Sequence, residues 1–230
     1  MTKHIVIGIS GLSSGPETSG LMQATKRVCK QLNIPLIFPF SEEFMDSSTF
    51  TIKESTELLL ELIHQYIKDD YSISLVSTSM GSWVTFRALL QLTPEELQFI
   101  RKNISIHPCF DLPDLLLKLA RYIKPSFLVK LLPRKGFPFY APYNRASKRL
   151  FWVNPALVAE LLQKKYLATH NLQESTKLAE RSVVVILKWG ILSLPRILDS
   201  RRICKQLGIK PLLKYRAFLD DKQLEQALHE

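Results

Sequence analysis

Short runs of consecutive apolar residues alternate along the chain with longer segments in which apolar residues recur every three or four positions. The short runs are typical of strands buried on both faces of a parallel sheet, and the longer segments are typical of amphipathic helices. Strands are predicted at 5–9, 34–38, 73–76, 104–106, 182–187 and 211–218. Helices are predicted at 18–32, 52–68, 83–90, 94–101, 196–207 and 220–229.

Two of these helices carry local end signals. Thr93-Pro94-Glu95-Glu96 has the form of a capping box with proline at the first helical position. The helix from 196 is expected to stop at Gly208. Because helix-length connections separate the strands, the pattern predicts an α/β protein with a doubly wound, mostly parallel sheet of about six strands.

One segment interrupts this alternation, between the fourth and fifth predicted strands. Residues 112–181 show no convincing strand, and we predict a helical insertion at 111–181, with 1–110 and 182–230 forming the sheet domain. The insertion holds 13 basic and 5 acidic side chains, so it carries +8 of the chain's net charge of +10. Its aromatic residues lie among basic ones, including Arg134, Lys135, Arg145, Lys148 and Arg149.

Composition narrows the class of protein. A chain of 230 residues with 46% hydrophobic content is large enough for one sizeable core. The three cysteines are widely spaced, which predicts free thiols in a reducing compartment. The amino terminus has the pattern of a strand rather than of a signal peptide, and the most apolar run, 182–195, is too short to span a bilayer. We therefore expect a cytoplasmic protein without a metal site or a cofactor, with peripheral contact to a membrane as an open alternative.

The candidate chemistry lies where the third strand meets the next helix, in Ser77-Thr78-Ser79-Met80-Gly81. A strand that becomes a helix within about two residues needs small side chains two positions before and after its central residue. The segment resembles the nucleophile elbow G-x-S-x-G of the α/β-hydrolase family, with Ser77 in place of the first glycine. The resemblance implies that Ser79 is the nucleophile of an acyl hydrolase of the esterase, lipase or thioesterase type. It also implies an acyl ester or thioester as substrate and a helical lid at 111–181.

The same resemblance locates the oxyanion site. Ligands of open parallel sheets bind beyond the carboxyl ends of the strands, where the winding direction reverses. The family's strand order places that reversal between the first and third strands, so the loops after them, at 10–12 and 78–80, should meet. The backbone N–H groups of Leu12 and Met80 are the expected oxyanion donors.

The rest of the family's catalytic triad is not matched. Ser193 stands where the family has its acid, and residues 217–221 contain no histidine where the family has its base. His107, directly after the fourth strand, is the substitute that we expect to act as the base, with Asp111 as its orienting acceptor and Asp114 as the second choice. The other histidines fit less well: His4 starts the first strand at the opposite edge, His64 lies on a helix, His170 lies in the lid, and His229 lies far along the last helix.

Three functions stay open on the sequence. The first is a serine acyl hydrolase with an unorthodox base, and the second is a catalytically inactive relative that keeps the fold for binding or regulation. The third is a basic interaction module that acts through its lid. The lid itself fits a cap on the sheet domain or a face for anionic membrane; nucleic acid is not expected, because no recognised nucleic-acid fold is present.

A lid that lies on anionic lipid should release it as salt is added. The Debye length falls from about 10 Å at 0.1 M to about 3 Å at 1 M ionic strength, so attraction between the basic lid and the membrane is screened. Co-sedimentation with anionic liposomes across this range measures the effect. Binding that is absent, or that ignores both lipid charge and salt, would leave the lid as a plain cap.

Overall fold

The computed structural model describes residues 3–11, 15–17, 19–40, 51–108, 137–140, 150–153, 175–187, 194–214 and 221–229. The strands in these ranges are β1 Lys3–Ile9, β2 Leu36–Ile37, β3 Tyr71–Thr78, β4 Ile100–Ile106, β5 Phe137–Tyr140, β6 Leu150–Val153, β7 Ser182–Leu187 and β8 Leu212–Lys214. The α-helices are α1 Gly20–Gln31, α2 Ile52–Lys68, α3 Met80–Leu89, α4 Ser175–Arg181, α5 Leu194–Gln206 and α6 Asp221–His229, and a 3₁₀ helix covers Glu96–Phe99.

The predicted doubly wound sheet is confirmed. Across the described ranges, six strands form one sheet in the order β2-β1-β3-β4-β7-β8, and every neighbouring pair is parallel. From β1 the chain moves to β2 on one side and then returns to β3 on the other. The winding therefore reverses between β1 and β3, which is where open α/β sheets bind their ligands.

The core consists of two apolar layers, one on each face of the sheet. Alternate residues of β1 enter the two layers: Ile5, Ile7 and Ile9 enter one, and Val6 enters the other. The first layer is covered by α2 and α3, and the second by α1 and α6. Within the described parts of the chain, no helix is both long enough and apolar enough to cross a bilayer.

The predicted capping box at Thr93 is confirmed, but the helix that follows is shorter than predicted. The Thr93 N–H donates to Glu96 Oε2 at 2.8 Å, and the Glu96 N–H donates to Thr93 Oγ1 at 3.2 Å. Only one 3₁₀ turn follows, and β4 already begins at Ile100 instead of at 104. Arg101 was predicted to end that helix, yet it lies on β4 and its guanidinium donates to the His229 carbonyl.

The prediction that residues 112–181 contain no strand is wrong. β5 and β6 pair as antiparallel strands, with Phe137 opposite Val153 and Tyr140 opposite Leu150. Each strand is only four residues long, neither alternates apolar with polar residues, and β5 contains Pro138, so period-two patterning gave no signal. The other residues of the predicted lid, apart from α4, lie outside the described ranges, and the lid and its boundaries stay predictions.

The end of that segment, α4, contacts the sheet domain. Leu178 is 1% exposed and belongs to the core layer that contains α2 and α3. The Arg181 guanidinium donates to the Gln98 carbonyl at 3.0 Å and also to the Ile100 carbonyl. The helix α4 therefore packs on the sheet domain directly before β7 begins.

Two of the three cysteines fall in described ranges; both are free, as predicted, and both are buried. Burial raises the pKa of the Cys29 thiol to about 11 and that of the Cys204 thiol to about 12. Both thiols stay protonated at neutral pH, so neither is an activated nucleophile. Cys109 lies outside the described residues.

His4 lies on β1, at the edge of the sheet opposite Ser79. Its Nε2 is 3.0 Å from Ser74 Oγ, on the neighbouring strand β3. Partial burial, and after it the positive charge of Arg101, lower the pKa of His4 from 6.5 to about 4. The neutral imidazole is therefore the form that the folded protein favours.

This histidine should make the protein less stable in mild acid. Between pH 6.5 and about 4 the unfolded chain binds a proton at His4 that the folded chain does not bind, so stability falls as pH falls through this window. In His4→Gln that contribution is absent, and the free energy of unfolding should decline less steeply from pH 6.5 to 4. Urea unfolding of both proteins at several pH values measures this, and parallel curves would contradict it.

Candidate active site

Ser79 lies alone between the end of β3 at Thr78 and the start of α3 at Met80. Its backbone has φ 53° and ψ −121°, a conformation that residues other than glycine rarely adopt. The abrupt change from strand to helix imposes it. Ser79 is the N-cap residue of α3, yet its side chain makes no capping hydrogen bond to that helix.

Ser79 and His107 differ from the other positions with positive φ in where they lie in the fold. Among the described residues, four that are not glycine have positive φ: Asn33, Asp70, Ser79 and His107. Asn33 and Asp70 each come directly after the C-cap residue of a helix, where this conformation is common. Ser79 and His107 instead follow two neighbouring strands at their carboxyl ends, and neither comes after a helix. Backbone strain of this kind concentrates at functional sites.

His107 occupies the position beside Ser79 in the sheet. Thr78 and Ile106 are register partners, and each of the two residues comes next along its strand. The Ser79 N–H donates to the Ile106 carbonyl at 3.2 Å, and the His107 N–H donates to the Val185 carbonyl at 2.7 Å. Neighbouring strands lie about 4.8 Å apart, so the two backbones are within reach of a side-chain contact. Both residues are half-buried.

The loop after β1 packs directly on Ser79, so the two predicted loops do meet. A Cβ atom built on Gly11 would lie 2.8 Å from Ser79 Cβ. A Cβ atom built on Gly81 would lie 2.3 Å from the Ser10 carbonyl oxygen and 2.6 Å from that of Ile9. Glycine is therefore required at 81, because the first turn of α3 lies against the backbone at the end of β1. The adjacent Leu12 lies outside the described residues, so its part in an oxyanion hole stays a prediction, as does that of Met80.

Ser77, the residue in place of the first glycine of the motif, is fully buried and hydrogen-bonded. Its hydroxyl donates to Ser82 Oγ at 3.2 Å and shares a 2.8 Å hydrogen bond with Ser105 Oγ. A buried hydroxyl left without a partner costs about 1–3 kcal/mol, which explains why these serines occur together. Sequence reasoning found Ser77 but missed Ser82 and Ser105, for which the only signal was their small polar side chains in otherwise apolar elements.

The other histidines that the structure describes lie away from this edge. His64 is exposed on α2, with Nε2 3.2 Å from Glu96 Oε1, and His229 is the last residue of α6. Asp111, Asp114, His170 and Ser193 lie outside the described ranges, so the orienting acid stays a prediction. Within those ranges, no group of three His, Cys, Asp or Glu side chains could hold a metal ion.

No family model matches the sequence, and no curated protein matches it either. Solved structures do match its fold. They include a monoglyceride lipase from Saccharomyces cerevisiae, at a TM-score of 0.58 and 10% identity, over 100% of this chain and 87% of the other. They also include the esterase Pf2001 from Pyrococcus furiosus, at a TM-score of 0.55 and 12% identity, over 99% of this chain and 83% of the other.

A third match is a protein from Xanthomonas campestris assigned to the α/β superfamily of hydrolases, at a TM-score of 0.51 and 14% identity. The match covers 99% of this chain and 98% of the other. An uncharacterized protein from Bacillus cereus also matches, and this chain spans 60% of its length. The strand order, the strained serine after β3 and these matches agree: the chain has the α/β-hydrolase fold.

Proposed function

We propose that the chain is a serine acyl hydrolase that cleaves a small acyl ester or thioester with Ser79 as nucleophile. The observation that carries this proposal is the backbone of Ser79, strained at the carboxyl end of β3 and lying beside the loop that contains Gly11. The lipase and the esterase that share the fold act on esters, which supports the substrate class. The two buried cysteines are excluded as nucleophiles by their high pKa values, about 11 and 12.

In the proposed reaction, Ser79 Oγ attacks the carbonyl carbon of the substrate while its proton passes to His107. An unassisted serine hydroxyl is a weak nucleophile near neutral pH, so a base within about 3.2 Å is needed, directly or through one water. His107 then gives the proton to the departing alcohol or thiol. Water attacks the acyl-enzyme in the same way, with His107 as base, and releases the acid and the free serine.

The negative charge on the substrate oxygen needs hydrogen-bond donors that are already in place. The Met80 N–H is the first amide of α3, and the positive end of a helix dipole favours an anion there. The Leu12 N–H would be the second donor, contributed by the loop that packs on Ser79 through Gly11. Each such donor contributes about 3 kcal/mol to stabilising an acyl-transfer transition state.

The second candidate is a catalytically inactive relative that binds a ligand at the same edge of the sheet. The observation that favours it is in the sequence: Ser193 stands where the acid of the fold's enzymes is expected, and no histidine occurs at 217–221. The two candidates differ in whether Ser79 is activated, and a chemical probe measures that directly.

A fluorophosphonate probe should label the intact protein at Ser79. Such probes react with an activated serine hydroxyl, and Ser79→Ala removes that hydroxyl with little change in volume. Mass spectrometry of wild type and variant should show the adduct on wild type alone. Ser74→Ala, which changes a buried serine on the same strand, should keep the adduct. A wild-type protein that stays unlabelled would establish the inactive relative.

His107→Ala should abolish ester hydrolysis nearly as fully as Ser79→Ala. Loss of a group that acts together with the nucleophile typically removes several powers of ten in turnover. Turnover of a chromogenic short-chain ester measures the effect, and His64→Ala is the matched control, because His64 lies exposed on α2. Hydrolysis by His107→Ala at more than about a tenth of the wild-type rate would show that His107 is not the base.

A further inference from the structure

Polar side chains form a connected cluster beneath the turn that carries Ser79. We call Ser77, Ser82, Asn103 and Ser105 the hydroxyl cluster; all four are fully buried. Ser77 bonds to Ser82 at 3.2 Å and to Ser105 at 2.8 Å, and Ser105 Oγ lies 3.4 Å from Asn103 Oδ1. Each hydroxyl has one proton, so two arrangements alternate: when Ser77 donates to Ser82, Ser105 donates to Ser77, and when Ser105 donates to Asn103 Oδ1, Ser77 donates to Ser105.

The hydroxyl cluster connects the turn around Ser79 with the end of β4 next to His107. Neither Ser79 nor His107 is a member of the cluster. Ser77 precedes Ser79 by two residues and Ser82 follows it by three, so their hydrogen bond bridges the strained turn. Ser105 lies on β4, two residues before His107, so the bond between Ser77 and Ser105 ties the turn to the neighbouring strand. A glycine at position 77 would form neither bond.

We propose that the hydroxyl cluster is a positioning device that holds the Ser79 turn in register with the end of β4, and so aligns Ser79 with His107. The effect on catalysis rests on the proposed function. The restraint that the cluster places on the Ser79 turn does not depend on that function. Strained backbone persists only where the surroundings over-determine it. Backbone restraints on Ser79 come from Ile106 and Ser82. The cluster adds hydrogen bonds between fully buried side chains, and hydrogen bonds are stronger in a low-dielectric interior.

Rates of labelling by a fluorophosphonate at several probe concentrations test the catalytic part. In Ser77→Ala and in Ser105→Ala the maximal labelling rate should fall about tenfold or more, because small displacements of reacting groups are costly, while the half-saturating concentration stays unchanged. Ser74→Ala is the matched control. Ser74 is also fully buried on β3, but its side chain lies on the face of the sheet opposite to that of Ser77, where its hydroxyl pairs with His4. The double variant Ser77→Ala/Ser105→Ala should be no slower than the slower single variant.

Ser77→Gly separates side-chain size from hydrogen bonding. It supplies the smaller residue that the elbow motif has at this position, but it leaves Ser82 and Ser105 without their shared partner. We expect the same loss of labelling rate as in Ser77→Ala. Wild-type labelling by Ser77→Gly, or equal losses in Ser74→Ala and Ser77→Ala, would overturn the proposal.

Amide hydrogen exchange tests the mechanical part without reference to catalysis. The Ser79 amide donates to the Ile106 carbonyl on β4, and the Ser82 amide donates to the Ser79 carbonyl within the turn. Both amides should exchange at least about tenfold faster in Ser77→Ala than in wild type or Ser74→Ala. If the wild-type protein is not labelled, the proposed function fails, and this measurement alone decides the inference. Unchanged exchange at both amides in Ser77→Ala would refute it.

Discussion

The backbone of Ser79 is the constraint on which the site depends. A strand that becomes a helix across one residue forces that residue to a φ of 53°, which costs of the order of 1–3 kcal/mol for a side chain other than glycine. Two neighbouring glycines allow the surrounding backbone to pack closely against this strained turn. Gly81 lets the first turn of α3 lie on the carbonyl oxygens at the end of β1, and Gly11 lets the next loop pack on Ser79. Both close approaches exist because β1 and β3 are adjacent, which is the point of reversal in the sheet.

Much of the fold could be predicted because its signals are local. The bounds of α2 and of β7 agree with the periodicity, and Gly208, at φ 71°, ends the last turn after α5 as expected. The predictions were less accurate where long-range contacts decide the structure. The start of β4 was predicted at 104 instead of at Ile100, and Arg101 inside this strand bonds to the far end of α6, a contact that local signals do not show. The pairing of β5 with β6 was missed because pairing between strands of four residues leaves no periodic pattern.

Some features of the candidate site could likewise be predicted from the sequence, and others could not. The need for small residues at 77 and 81 follows from the motif alone, and the place of His107 follows from the strand order. The partnership of Ser77 with Ser105 does not follow from either. The register of β3 with β4 shifts between Ile73 and Ser74, so one extra residue of β4 lies opposite that step. Counting from the amino-terminal ends of the two strands therefore would not place the two serines side by side, and the folded sheet shows that they are register partners.

The pairing of Ser77 also restricts how this chain can change by successive substitutions. Replacing Ser77 with glycine, the usual residue of the motif, would remove the partner of the buried Ser82 hydroxyl and leave Ser105 with only its 3.4 Å contact to Asn103 Oδ1. A buried hydroxyl left without a partner costs about 1–3 kcal/mol. Changing Ser82 or Ser105 first would leave Ser77 short of a partner instead. Each single step toward the usual motif thus passes through a less stable protein, although the end state with all three changed need not be less stable. The serine at position 77 is entrenched by its neighbours, so it should be exchanged only together with them.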